Sequence, residues 1–368
     1  MKFNCPKEIL MENISVVSKA VSQKSPVAHL EGIYIEARDN VITLISNNTE
    51  IAIKTRFFAE IEENGEIVLN AKTLFDMIRM MPEGIIEISI NDNLLTTIKN
   101  GKTKYELVGL YADGFPTIEN INPEFSIKLT ENKFKELIKK TAFSIGTSDT
   151  KITFTGALFE IEDAYLKVVT LDGFRMSVRR EEIYPTDTNT SYIIPGKSLN
   201  ELLKILNDTD NELKIEFGNK KALIKVENYE FYTRLIEGEF FNYEQIIPKN
   251  AETKVRVKTK LLADAIERSS LIITADNKSP IKLNITDETI ELLTISRVGK
   301  AEDAIEVLKT GPDLEIGFNH KYILDALKAA DIEEIIIDFT NNLSPCVIRS
   351  FESDDFVYLI LPVRLKNE

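Results

Sequence analysis

The chain has 368 residues, 43% hydrophobic and 28% charged, with a formal net charge of −14. That length favours two to three domains with sizeable cores, and 12 Pro with 15 Gly leave little room for long linkers or disorder. Two cysteines, Cys5 and Cys346, and two histidines, His29 and His320, exclude a disulfide framework, a cysteine-only zinc site and a two-histidine metal helix.

Apolar runs stop after a few residues, as at Leu359-Ile-Leu-Pro-Val363, which is too short to span a bilayer as a helix. Met1 to Pro6 carries no apolar signal core, so a soluble, cytoplasmic, reducing setting without metal or cofactor is expected. The acidic balance opposes ordinary nucleic-acid binding, where affinity comes from Lys and Arg displacing counterions.

In chain order, a short strand leads into a helix from about Pro6, with Leu10, Ile14, Val17 and Val21 on one face. Strands Gly32 to Ala37, Val41 to Ile45 and Glu50 to Thr55 follow, divided by Asp39-Asn40 and Asn47-Asn48 turns. A strand–helix–strand unit runs from Ile67 to Ile90, its helix carrying Lys72, Leu74, Ile78 and Met81. Leu94 to Ile98 then turns at Asn100-Gly101 into Lys104 to Val108, since Asn-Gly supplies the positive φ angles of a tight hairpin.

A second cycle starts at Phe125, with a helix marked by Phe134, Leu137 and Ile138 and Thr130 as its N-cap. The strand–helix–strand unit returns at Ile193-Ile-Pro-Gly-Lys197, where Leu199, Leu202, Leu203 and Leu206 share a helical face to Asn207. A third cycle starts near Val255, and its unit runs from Leu314 to Phe339 with Lys321, Ile323 and Leu327. Lys72, Lys197 and Lys321 lie 125 and 124 residues apart, Gly114 and Gly238 lie 124 apart, and Leu10, Phe134 and Leu262 repeat similarly. A period near 124 residues is a whole domain. The boundaries fall at 1–122, 123–249 and 250–368, and each domain is of α+β class, two amphipathic helices on antiparallel sheet. Three in tandem suggest an arc.

The basic charge is unevenly spread. The six expected helices hold 15 Lys and Arg against 9 Asp and Glu, a surplus of six positive charges in a chain that is otherwise strongly acidic. Lys72, Arg79, Lys139, Lys140, Lys197, Lys204, Arg268, Lys321 and Lys328 face away from each sheet, and Lys24 can join them. Exposed helix faces are commonly charged, but five positive helices in an acidic chain suit a surface that rides on phosphates.

Catalytic patterns are missing. Gly196-Lys197-Ser198 ends like a phosphate-binding loop, but that loop needs glycine where Ser191 stands, and Pro195 removes a backbone donor. No G-x-S-x-G elbow occurs. The chain reads as a non-enzyme.

Together the repeats, Thr170-Leu-Asp-Gly-Phe-Arg-Met176, Ile194-Pro-Gly-Lys-Ser198, Glu315-Ile-Gly-Phe-Asn319 and Leu361-Pro-Val-Arg-Leu365 resemble the bacterial DNA polymerase III beta subunits, the sliding clamps, over essentially the whole chain. The resemblance implies three clamp domains forming half of a closed ring, a head-to-tail homodimer around duplex DNA. It implies a processivity factor for DNA replication, bound without regard to sequence. Tyr105 and Leu107 would meet Ile272 and Ile273 at the dimer contact. It further implies a groove for short linear peptides of the replicative polymerase, the clamp loader and repair proteins. The matching positions are Phe154, Leu171, Gly173, Phe174, Arg175, Met176, Ile246, Leu343, Pro345, Leu359, Leu361, Pro362, Val363 and Arg364.

The chain departs from the family pattern at Leu171, Phe174, Phe241-Asn242, Ala28-His29-Leu30 and the extension Lys366 to Glu368; the changes at Leu171, Phe174 and the C-terminus put the groove's peptide preference, not its existence, in question. The alternative is an acidic peptide-binding adaptor of the same fold that does not encircle DNA.

Overall fold

Sequence periodicity becomes alternation of burial in the computed structural model, which describes residues 1–22, 24–148, 151–186, 188–274 and 279–365. In strand Thr253–Lys258, Thr253, Val255 and Val257 are buried while Lys254 and Lys258 are exposed, as a pleat with one face on a core requires. Six helices are described: α1 (Lys7–Val17), α2 (Ala71–Met80), α3 (Glu131–Lys139), α4 (Gly196–Leu202), α5 (Thr259–Ser270) and α6 (His320–Ala330). The extension from Lys366 lies outside the described residues.

Among the described residues all strand pairings are antiparallel, in four sheets of 5, 8, 9 and 4 strands. The eight-stranded sheet joins the first two repeats, because Tyr229–Arg234 pairs with Ile51–Phe58, Phe231 opposite Ile53. The nine-stranded sheet joins the second and third, because Arg175–Glu182 pairs with Phe356–Ile360, Met176 opposite Leu359. The described residues accordingly divide into two units, residues 1–134 with 197–235, and residues 135–196 with 236–368. In the first, α1 packs on α2 and buries Leu10, Ile14, Leu74 and Ile78. In the second, α5 packs on α6 over a core that includes Leu262, Ile266, Ile323, Leu327 and Tyr358.

Several helix ends differ from the sequence reading for identifiable reasons. Pro6 is the N-cap of α1, one residue before the helix. Helix α3 stops at Lys139, short of Phe143, because Thr141 Oγ1 donates to the Leu137 carbonyl at 2.8 Å and its N–H donates to Ile138 O, three residues back, at 3.1 Å. Helix α4 stops at Leu202, past which Lys204 and Ile205 N–H donate three residues back, to Glu201 O at 3.1 Å and Leu202 O at 3.0 Å, and Asn207 N–H donates to Glu131 Oε1 at 2.7 Å. The face Leu199, Leu202 and Leu206 is nonetheless buried. At the Asn100-Gly101 turn only Gly101 takes positive φ (58°); Asn100 ends its strand and donates to Pro82 O at 2.8 Å.

Two buried carboxylates tie these elements. Glu131, 1% exposed, accepts from Asn207 N–H and from Thr209 Oγ1, both at 2.7 Å. Glu131→Ala strands both donors and is expected to cost about 2–4 kcal/mol, read as a lowered urea midpoint. Glu216 lies between Lys214 and Lys225, 2.7 and 3.0 Å away. Burial resists its ionisation, but the two ammonium groups outweigh that and hold the carboxyl below its ordinary value. Its stabilising contribution is therefore full above the unfolded-state carboxyl pKa and lost as pH falls through the depressed folded value. The difference in urea midpoint between the native chain and Glu216→Gln is expected to shrink accordingly in acid.

Candidate functional site

The helix lysines come first. Lys72, Lys197 and Lys321 each occupy the second residue of α2, α4 and α6, and all three are exposed. None has an ion pair among the described residues. A cation in the first turn opposes the helix dipole, so local stability does not select it, and the repeat places it there three times. Lys24, outside any helix, is also exposed.

The other expected basic contacts are partly engaged. Arg79 pairs with Asp76 at 3.0 Å, Lys139 with Glu136 at 3.3 Å, Lys204 with Glu201 at 2.7 Å, Arg268 with Asp303 at 2.7 Å and Lys328 with Glu267 at 2.7 Å. All are more than half exposed, and such surface pairs exchange readily for phosphate. Lys140 departs from the expectation of a helix-face contact: its side chain is 14% exposed and held by Glu136 at 2.9 Å and Asp331 at 3.0 Å.

The expected groove residues fall in the second unit. Leu171, Met176 and Leu359 form one buried cluster with Leu158, Val169, Ile193 and Tyr243, and half-buried Phe154 packs on it. They meet because Leu171 pairs with Met176 across one strand junction and Met176 with Leu359 across the next. Phe154 sits in a 3-10 turn, its ring 6.2 and 6.3 Å from those of Phe240 and Phe241, with Lys151 Nζ 5.0 Å from its centroid.

Around this floor apolar side chains remain in solvent: Phe174 is 59% exposed, Leu343 65%, and Ile246, Leu361 and Val363 between 36% and 38%. Gly173, at φ 91°, turns the chain into Phe174, and the Phe174 carbonyl accepts Leu361 N–H at 2.9 Å. Leu343 and Arg364 line one shallow groove with Asn342, Glu315 and Leu365. Pro345 and Pro362 are half-buried, and Ile246 ends a turn whose neighbour Ile247 packs on the floor. Apolar side chains on a rigid sheet, with a few polar groups, suit an extended apolar peptide. Sequence reading missed Tyr322 and Asp325 of α6, which touch Arg175; their spacing marks only one helix face.

At the expected dimer contact, Tyr105 and Leu107 are half-buried on Thr103–Val108, an edge strand of the five-stranded sheet. Ile272 and Ile273 are half-buried just past α5, Ile273 against the core, while the neighbouring Leu271 is 83% exposed. Burial pushes the thiols of Cys5 and Cys346 up to about 12, which makes them inert packing groups.

Repeats joined strand to strand into continuous antiparallel sheets, with helices packed against them, define a clamp-type scaffold. Family patterns for the DNA polymerase III beta subunit match in series: the N-terminal domain over residues 1–119, the central domain over 128–242 and the C-terminal domain over 244–364. The beta sliding clamp of Halalkalibacterium halodurans is 33% identical over 99% of this chain and 100% of its own. The crystal structure of the Bacillus subtilis DNA polymerase sliding clamp, 33% identical, covers 100% of both chains with a TM-score of 0.97. That of the Thermotoga maritima DNA polymerase III beta subunit, 27% identical, covers 99% of this chain and 100% of its own at 0.92. The chain belongs to the DNA polymerase III beta subunit family, the beta sliding clamps. It is a non-catalytic processivity subunit, and the adaptor reading falls away.

The dipole argument is testable without DNA. Lys72→Gln, Lys197→Gln and Lys321→Gln are each expected to leave the urea midpoint unchanged or slightly raised at low salt. A clear fall would mean that the lysines are held for stability.

Proposed function

We propose that two copies of this chain close head to tail around duplex DNA and tether the replicative polymerase and other DNA-processing proteins. One observation carries the reading. The repeats inside the chain join by pairing Ile51–Phe58 of the first with Tyr229–Arg234 of the second, and Arg175–Glu182 of the second with Phe356–Ile360 of the third. One repeat period on, the counterparts are Lys300–Glu306 in the third repeat and Thr103–Val108 in the first. These two strands are open edges of their sheets. Each wants the partner that the other supplies, and two copies can satisfy both edges and close. Exposed Leu271 and half-buried Ile272 and Ile273 lie beside one edge in sequence-equivalent position, as apolar cover for Tyr105 and Leu107 of a second copy.

A closed ring holds DNA by topology, so its basic side chains need only weak, sequence-blind phosphate contacts. The exposed helix lysines of both units supply them. The apolar surface around Leu171, Met176 and Leu359 takes short linear segments of the polymerase, the loader and repair proteins. Among the described residues no helix is long and apolar enough to cross a membrane, and a cytoplasmic setting follows from the replication role.

The edge pairing sets an approximate register, Glu106 opposite Glu302 within about one residue. Glu106→Cys with Glu302→Cys is expected to give covalent dimers on mild oxidation, and each single variant far fewer. Monomers alone would sink the closure. The loaded ring is expected to stay on nicked circular DNA and to leave after linearisation. Changing Lys72, Lys197 and Lys321 together to Gln should shorten that retention and flatten its salt dependence. Dimeric protein that a loader cannot retain on circles would overturn the DNA role.

A further inference from the structure

The loop between strands Tyr165–Leu171 and Arg175–Glu182 is held on one side by its own residues. Asp172 Oδ1 accepts the N–H groups of Phe174 and Arg175 at 2.9 and 3.0 Å, and Asp172 Oδ2 accepts Arg175 Nε at 3.0 Å. On its other side the loop is held by α6. Arg175 Nη1 donates to Asp325 Oδ2, and its guanidinium carbon lies 4.5 Å from the ring centroid of Tyr322 and 5.4 Å from that of Phe143. Phe174, mostly exposed, stacks on Tyr322 with centroids 6.2 Å apart.

The Arg175 side chain is 13% exposed, and Asp172 alone would balance its charge. The second carboxylate adds geometry. A planar fork engaged through Nε to one element and Nη1 to another has its plane fixed, here against Tyr322. We infer that Asp325 is a positioning residue for peptide docking: it ties Arg175 to α6 and so keeps Phe174 on Tyr322 at the edge of the apolar surface. This rests on the peptide-docking reading above and adds the element that shapes its rim.

The chain's tail follows the same support. Leu361 hangs on the Phe174 carbonyl, and Val363 N–H donates to Gly317 O at 2.8 Å, two residues before the Asn319 cap of α6. Loop, tail and helix base are thus one connected assembly. Helix α6 also carries Lys321, so one helix serves the proposed phosphate contact and the peptide rim.

The test is fluorescence anisotropy with a fluorescein-labelled pentapeptide of apolar residues on the full chain. Asp325→Asn is expected to weaken binding about five- to tenfold, while Asp325→Glu restores most of it. In an Arg175→Lys background, Asp325→Asn should add little, because the shared fork is already lost. Asp264→Asn, which removes another helix carboxylate, paired with Lys260 at 2.8 Å on α5, should leave affinity unchanged. Circular dichroism and the melting temperature of each variant monitor folding. Equal binding by the native chain and Asp325→Asn overturns this inference alone, as does additive loss in the Arg175→Lys background. Absence of peptide binding by the native chain overturns the docking reading and this one with it.

Discussion

An edge of β-sheet left without a partner governs this chain. Its N–H and C=O groups must find partners in water, in another strand or in another molecule. Twice the chain answers internally, with Tyr229–Arg234 on Ile51–Phe58 and Arg175–Glu182 on Phe356–Ile360. A tandem repeat that joins this way always ends with one edge of each kind unspent. Those edges are Thr103–Val108 and Lys300–Glu306, and the proposed head-to-tail closure rests on them.

The charge distribution follows a similar economy. Arg79, Lys139, Arg268 and Lys328 sit in exposed pairs that contribute little to stability, while Lys72, Lys197 and Lys321, with no ion pair among the described residues, sit where the helix dipole disfavours them. In the proposed ring, an acidic body with lightly committed cations would repel bulk nucleic acid yet let an enclosed duplex slide. Stronger contacts would add affinity that a topological tether does not need, and they would slow movement along DNA.

How much of this was legible follows from how local each cause is. The repeat, the six helices and the antiparallel pattern were readable because period, turn residues and the lysine spacing are local facts. The ends of α3 and α4 were not, since the Thr141 hydroxyl takes the Leu137 carbonyl and Glu131, from another helix, takes the Asn207 N–H. Lys140 read as a helix-face cation and is half-buried by Asp331, nearly 200 residues away. Arg175 was legible through family resemblance, but its tie to Asp325, 150 residues on, was not. The departures at Leu171 and Phe174 gain meaning in the structure: Leu171 is buried in the floor and Phe174 rests on Tyr322.

The repeat also shows why the proposed docking fits one junction and not the other. Asn48 Oδ1 accepts the N–H groups of Glu50 and Ile51 at 3.1 and 2.8 Å, with Thr49 at φ 75°, the same turn that Asp172 makes with Gly173 at φ 91°. Ser296 makes a related turn by accepting Val298 N–H at 3.2 Å. Backbone geometry is therefore common property, and the side chains decide. Where the second junction has Leu171, Phe174 and Met176, the first has Asn47, Glu50 and Ala52. There the surface is polar, lined by Pro116 to Glu119, with Asn47 Nδ2 directed at Pro116 O at 3.4 Å and Glu119 paired with Lys221. The first junction is thus occupied by the chain's own connection, whereas at the second Phe174, Leu343 and Leu361 stay in solvent. Exposed apolar groups beside a buried floor persist at a cost in solubility, and the proposed docking of partner peptides is a physical use that would offset it.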